Sequence, residues 1–506
     1  MKKWTAFLLA LTLVLGVMAP ALAEDPTSLT VWLNHTWYPT DKFEGVIPEV
    51  ITEKTNVTLE PTRAVDDSQL GLMIASGDLM DLTFTSEELS RLSNSDLCYS
   101  YSELIEKYCP DWQPDPTAIA NAASYSTDGD YYFLFSHAFT TEEWRDAPGG
   151  APSIGSLHYR ADIAQELGFD AASFSTFEEL DALYAAVHEK YPDMEILVYD
   201  PTMKFQYFNM QFGISSQTDW LQAEDGTYVH MINSDNFEKM MRKLNEYYRL
   251  GYINPDSFAY DNATAEGLMY TGKSFSYSNV TQGFASTTTE MGRKALANEK
   301  FTVLEMNPLG DEAAYRLANL GWCGTFISKN CKDPEAAIKL VRYLCSDEGA
   351  KLTMWGREGV EYTLNEEGVP VFSDEWVEAT KDEELFASKY NTNFYFGTTA
   401  LIEAIGRTCS LTQPYQETYA KIRERISCEP WYALADPKDP DSDEYILTTK
   451  LVDMVNTWTP TLVLSESEEA FAANLAELRE NARKSGLDEL TEYMNTELVA
   501  KRAMYD

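Results

Sequence analysis

At 506 residues the chain exceeds what one hydrophobic core usually organises, so two domains are expected. Its formal charge of −42, from 81 acidic against 39 basic residues, excludes nucleic acid as a natural partner, because affinity for phosphate backbones rests on clustered Lys and Arg. The same excess disfavours anionic membrane surfaces and polyuronate ligands unless a local basic pocket overrides the global sign.

Lys2 and Lys3 precede an apolar run from Ala6 to about Val17, short of the roughly 20 residues that cross a bilayer. Ala21-Leu22-Ala23 then offers the small residues of a cleavage site, so residues 1–23 are expected to be a secretory signal peptide. The protein is expected to be periplasmic, or extracellular at the cell surface. Its first cysteine is Cys98, so no lipid anchor on a cleaved N-terminus is expected. Residues 29–33 predict a buried strand, 46–54 a helix and 56–60 the next strand. A helix over 68–75 and a strand over 81–85 follow. This alternation predicts a mostly parallel sheet with crossover helices, and ligands of such sheets sit beyond the carboxyl ends of the strands. Asn34 to Trp37 and Ser76 to Asp81 are read as such ends.

A second α/β region is expected after 131–135, with a strand over 157–160 and a helix over 161–167 stopped by Gly168. Ser175-Thr176-Phe177-Glu178-Glu179 opens a further helix with the Ser/Thr-x-x-Glu pattern of a capping box. A strand over 194–199 and amphipathic helices over 236–250, 335–344 and 468–484 follow. The seven cysteines match no zinc or redox spacing and leave at least one unpaired, Cys98 with Cys109 being the local candidates for a disulfide. Aromatic residues make up 13% of the chain, more rings than two cores need, and sugar-binding clefts use rings as stacking platforms.

Several segments together resemble the extracellular solute-binding proteins, family 1, of the larger oligosaccharide-binding kind. Leu72-Met73-Ile74-Ala75-Ser76-Gly77-Asp78-Leu79-Met80-Asp81-Leu82 is similar to the family's "(I/L)ASGDLPD(I/L)" segment, with Met80 where proline is usual. Residues 128–132 resemble its first crossover strand, and 157–169 resemble "L-x-x-R-x-D-x-L-x-x-L-G" through Arg160, Asp162, Leu167 and Gly168. Thr176 to Leu180, the 268–273 return segment, Ile327 to Ala337 and Trp355 to Thr363 continue the resemblance in order; beyond about residue 365 it is general in character.

The resemblance implies a two-lobed periplasmic-binding-protein-like (type II) α/β fold, each lobe a mostly parallel sheet flanked by helices, joined by a multi-strand hinge. The lobes are expected over 24–135 with 265–310, and over 136–264 with 311–506, the latter including a C-terminal helical region. It implies a monomeric receptor that holds a small solute, expected to be an oligosaccharide, between its lobes and presents it to the membrane permease of an ABC importer. No cofactor is expected. Relatives often carry an Asp/Asn/Gly-rich calcium loop after the helix corresponding to 176–190, where this chain has only Tyr191-Pro192-Asp193-Met194-Glu195, so no metal is expected there.

Ligand contacts are expected among Asn34, Trp37, Asp81, Trp144, Trp322, Trp355 and Tyr362. Trp37 stands in a polar loop where its ring is either a platform or lobe packing; Asn34 and Asp81 either bond sugar hydroxyls or cap turns. Trp144, near the first crossover, and Trp322, at the second, are the cleft-edge rings, with Trp355 a further one. Tyr362 contacts ligand or braces the hinge. No catalytic constellation is found: no Gly-x-Ser-x-Gly, His-Glu-x-x-His or phosphate-binding loop occurs, and no two of the five histidines share a metal-ligating helical spacing. The rival function is a secreted glycoside hydrolase, since abundant carboxylates can supply a facing pair; a third is a surface carbohydrate sensor not coupled to transport.

Overall fold

The computed structural model describes residues 25–503 apart from Trp37, Pro39, Asp67, 319–320 and Lys381. The expected signal peptide and the Trp37 platform therefore lie outside the described residues. Strands β1 (Thr27–Leu33), β2 (Val57–Arg63) and β3 (Leu82–Thr85) alternate with helices Val46–Thr55 and Gln69–Ser76. Both β2 and β3 run parallel to β1, with Val31 opposite Pro61 and Leu82. Leu29, Val31, Trp32 and Leu33 are all buried, as a central strand covered on both faces requires. Pro61 is tolerated because β2 is an edge strand, where a missing N–H interrupts no further ladder.

The second sheet contains β4 (Gly155–Arg160) and β5 (Glu195–Val198) and, after the short hairpin β6 (Trp220–Gln222) and β7 (Tyr228–His230), β8 (Ser274–Val280) and β9 (Val303–Glu305). Its order is β5-β8-β4-β9. Only β5 and β8 are parallel; β4 runs against both β8 and β9. The expectation of two mostly parallel sheets thus holds for the first lobe alone, because the second lobe's chain returns beside β4 head to tail.

Next come β10 (Tyr315–Leu317), β11 (Gly324–Ile327), the hairpin β12 (Tyr362–Leu364) and β13 (Pro370–Phe372), and β14 (Ile426–Cys428). Strand β11 joins the first sheet antiparallel to β3, whereas β10 and β14 pair with each other. These pairings shift the expected lobe boundaries. Residues 265–310 do not return to the first lobe: 268–273 end a helix (Asn262–Tyr270) and turn at Gly272, φ +74, directly into β8. Phe275 and Tyr277 of β8 then pack in second-lobe cores. The first lobe's core instead draws on Cys323 to Leu344 and on Tyr390 to Phe396.

The chain passes between the lobes near 136–137, 321–323 and 397–399. Backbone hydrogen bonds tie these passages together: Ser136 N–H to the Cys323 carbonyl at 2.9 Å, Trp322 N–H to that of Ser136 at 2.8 Å, and His137 N–H to that of Thr398 at 2.7 Å. Helices Asp443–Val463, Glu468–Lys484 and Leu487–Arg502 close the chain and pack on the second lobe through Leu451, Leu462, Phe471 and Leu478. No described helix is long and apolar enough to cross a membrane. All seven cysteines are free. The Cys98–Cys109 disulfide is not formed, and each thiol is instead buried in the first lobe's core, which pushes Cys98 up to about 12.

Candidate functional site

The site forms where β1 and β3 end and the passages meet. The Trp32 indole donates to Asn34 Oδ1 at 3.0 Å, and the Asn34 amide donates to Thr85 Oγ1 at 3.1 Å and to the exposed Glu87 carboxylate at 3.4 Å. Asn34 thereby fastens the ends of both strands together. Its neighbour His35 stacks on Trp322 with centroids 5.1 Å apart and 22° between the planes. Trp322 in turn meets His137 edge-on at 5.3 Å and Tyr395 at 6.2 Å.

From His137 the contacts continue into the second lobe. Its Nε2 lies 3.2 Å from Glu403 Oε2, and Glu403 Oε1 accepts from Arg407 Nε at 3.0 Å. The Arg407 guanidinium sits 5.8 Å from the centre of the Phe284 ring, which opens the helix Phe284–Leu296 after β8. His35, Trp322, His137, Glu403, Arg407 and Phe284 thus form a continuous wall across the hinge, from the first lobe to the second. Burial alone would raise the Glu403 carboxyl, but the charges of Arg407 and His137 and their hydrogen bonds outweigh it and hold it down to about 2.

Glu403 and Arg407 reach this wall because the helix Ala400–Thr408 carries three faces at 100° per residue. Ala400 and Ala404 pack on the second lobe beside Trp144. Ile402 and Ile405 pack on Trp355 and Tyr362, and Glu403 with Arg407 occupies the remaining face. Small residues allow the close approach: a Cβ on Gly406 would lie 2.6 Å from Trp355 Nε1, and one on Gly150 would lie 3.1 Å from Ala404 Cβ.

No protein-family model matches the chain, and no curated protein matches it. Solved structures do. The ABC-transporter substrate-binding protein FusA of S. pneumoniae, in complex with kestose, aligns at a TM-score of 0.65 and 15% identity over 94% of this chain and 100% of its own. The alginate-binding protein AlgQ2, without calcium ion, aligns at 0.64 and 17% identity over 94% and 98%. An HMO-binding, ABC-transporter-associated solute-binding protein of Bifidobacterium longum infantis aligns at 0.64 and 13% identity over the same shares. The chain has the two-lobed solute-binding-protein fold.

Within this binding-protein fold the expected ligand contacts separate sharply. Asn34 and Trp322 stand at the hinge-side wall. Asp81 does not: it precedes β3, at the amino end, where it accepts from Thr30 N–H at 2.9 Å, Thr30 Oγ1 at 2.7 Å and Lys332 N–H at 3.1 Å. Residues 76–81 connect the Gln69–Ser76 helix to β3, so they lead into that strand's amino end and do not stand beyond a carboxyl end. Trp144 is not a cleft-edge ring; it is fully buried in a short helix (Thr141–Arg145) capped by Thr140 and Glu143. Trp355 is also buried, its indole donating to the Ile402 carbonyl at 2.9 Å, and Tyr362 packs edge-on against it at 5.5 Å. Both pack in one small core with Ile402 and Ile405 of the Ala400–Thr408 helix.

His35, His137, Phe284, Tyr395, Glu403 and Arg407 were missed. The Glu403/Arg407 spacing of i, i+4 beside Ala400, Ala404 and Gly406 was the available signal, since small residues mark close helix contacts. Nothing local marks the two histidines, both of which meet Trp322. On another edge, Lys438 Nζ of the second lobe reaches Tyr125 OH of the first at 3.4 Å and lies 4.6 Å from its ring centre. Two surface depressions of about 430 and 630 Å³ flank the Asp235–Arg249 helix and include no wall residue. Among the described residues no group of three His, Cys, Asp or Glu could hold a metal ion.

Proposed function

We propose that the chain is an exported, monomeric solute receptor of an ABC importer, that it captures an oligosaccharide between its lobes, and that it carries out no chemistry. The observation that carries this reading is the wall from His35 to Phe284, which runs unbroken from one lobe, over the passages, to the other. A ligand resting there touches both lobes and favours their closure by its differential affinity. Indole and phenyl faces suit the C–H faces of sugar rings, while Glu87 and Arg407 suit their hydroxyls. Kestose bound to FusA, a protein of the same fold, points to the same ligand class. Export rests on the signal-peptide pattern of residues 1–23, and a membrane permease is the partner that would read the closed state.

A thermal-shift screen of residues 24–506 against oligosaccharides, peptides and cations tests this. A sugar present at 100 times its Kd should add about 2.7 kcal/mol to native stability and be recovered intact. Recovery of cleaved sugar would establish the hydrolase instead, and stabilisation by peptides or cations alone would refute the carbohydrate assignment.

A further inference from the structure

Away from the wall, one side chain joins the two lobes directly. Lys438 follows the short helix Trp431–Ala435, which belongs to the second lobe: Tyr432 and Ala435 are buried in its core, and the helix packs on Leu487–Arg502. The Lys438 ammonium donates to the Ala433 carbonyl of that helix at 2.6 Å. It also reaches across to Tyr125 of the first lobe, 3.4 Å from the hydroxyl and 4.6 Å from the ring centre. Tyr125 is fixed in turn, since its ring packs edge-on against Phe133 at 5.8 Å and against Phe135, which leads into the passage at 136–137, at 5.7 Å. Two residues before Lys438 stands Asp436, whose titratable neighbours are Lys438, Asp219 and Tyr493 of the Leu487–Arg502 helix. Burial pushes the Asp436 carboxyl up to about 6; the Lys438 charge opposes the rise, and the charge of Asp219, which lies 3.9 Å from His230 Nε2, adds to it.

We propose that Lys438 is a latch between the lobes of the unliganded protein, holding the second lobe on Tyr125 with Asp436 as its counter-charge, and that the latch loosens in mildly acidic medium. Lys438 and Tyr125 are both half-buried, so the ammonium gives up part of its water in the seam. The Tyr125 ring face and the Asp436 carboxylate take the place of that water, and both attract a cation more strongly there than in bulk solvent. Once the lobes part, water solvates Lys438 again and the carboxylate matters less. An ionised Asp436 therefore favours the latched arrangement. Protonation, as pH falls through about 6, leaves the ammonium without its counter-charge in the seam and favours parting. A partly desolvated cation on a ring shifts a two-state population about five-fold. The latch requires no particular ligand, so it stands apart from the sugar reading.

Small-angle scattering of the unliganded protein at pH 7.5 and pH 5 tests this, with Lys438→Met, Tyr125→Leu, their double variant, Lys438→Arg and Asp436→Asn beside the wild type. At pH 7.5, Lys438→Met and Tyr125→Leu should each enlarge the radius of gyration, and the double variant should exceed neither, because both changes remove one shared contact. Lys438→Arg keeps the charge and the ring contact and should match the wild type, whereas Asp436→Asn should enlarge the radius already at pH 7.5. At pH 5 the wild type should approach Lys438→Met, which serves as the control for titration of all other carboxylates. Coincident wild-type and Lys438→Met curves at pH 7.5 overturn the latch, whatever Tyr125→Leu does to the first lobe's core. Enlargements that add in the double variant overturn the pairing with Tyr125, and an Asp436→Asn curve equal to the wild type at pH 7.5 overturns the counter-charge.

Discussion

Glu305 lies in the second lobe behind the 282–284 turn, accepting from Tyr419 OH at 2.7 Å and Ser156 Oγ at 3.3 Å. Burial pushes its carboxyl up to about 8, against the partial opposition of these hydrogen bonds. Since the folded value lies above the unfolded one, its contribution to stability is complete below the ordinary carboxylate range of about 4.5 and is lost as pH rises through 8. Melting followed from pH 5 to 9 should therefore show a falling limb that Glu305→Gln flattens; a limb of equal slope in the variant assigns it to another group. Glu403 has the opposite sense, because Arg407 and His137 hold it low, and its contribution fades only as pH falls toward 2. Neither carboxyl could be ranked from the sequence, where 81 acidic residues look alike and only burial and the partners that folding supplies separate them.

At the level of elements, the Ala400–Thr408 helix is the part that both lobes share. Ala404 lies against one lobe, Gly406 against the Trp355 indole of the other, and the Trp355 bond to the Ile402 carbonyl crosses between them. Gly406→Ala places a methyl 2.6 Å from an indole nitrogen that is fixed by that bond. Overpacking of this kind costs about 1–3 kcal/mol. Urea denaturation should show the loss, and an unchanged midpoint would mean that the helix shifts freely between the lobes. Helices and strands with clear periodicity were legible in advance: the capping box at Thr176 and Glu179 opens the Phe177–Lys190 helix, and Gly168 and Gly251 adopt positive φ just beyond helices. The carboxyl-end placement of Asp81 did not hold, because the 76–81 segment leads from a helix into β3 and so stands at that strand's amino end.

For the molecule as a whole, closure over a ligand is the measurable consequence of the arrangement. A sugar that raises the melting temperature should also reduce the radius of gyration in small-angle scattering, and an identical curve at saturation would count against closure. Length pointed to two domains, and the two-lobed fold was legible as what the ordered segments imply through their resemblance to a known family. The partition of the chain between the lobes was not. The 268–273 segment reads as a return to the first lobe, yet the strand after it pairs with β4 and β5, and pairing partners distant in sequence leave no local mark. The rings divided in the same way: Trp144, Trp355 and Trp322 all sit near chain passages, but two are buried and one is left at the wall. The sequence alone determined the element types, the α/β class and the acidic character, because these follow from local pattern and composition. Tertiary structure decided which strands share a sheet and which side chains meet at the hinge, because those contacts join segments brought together only by folding.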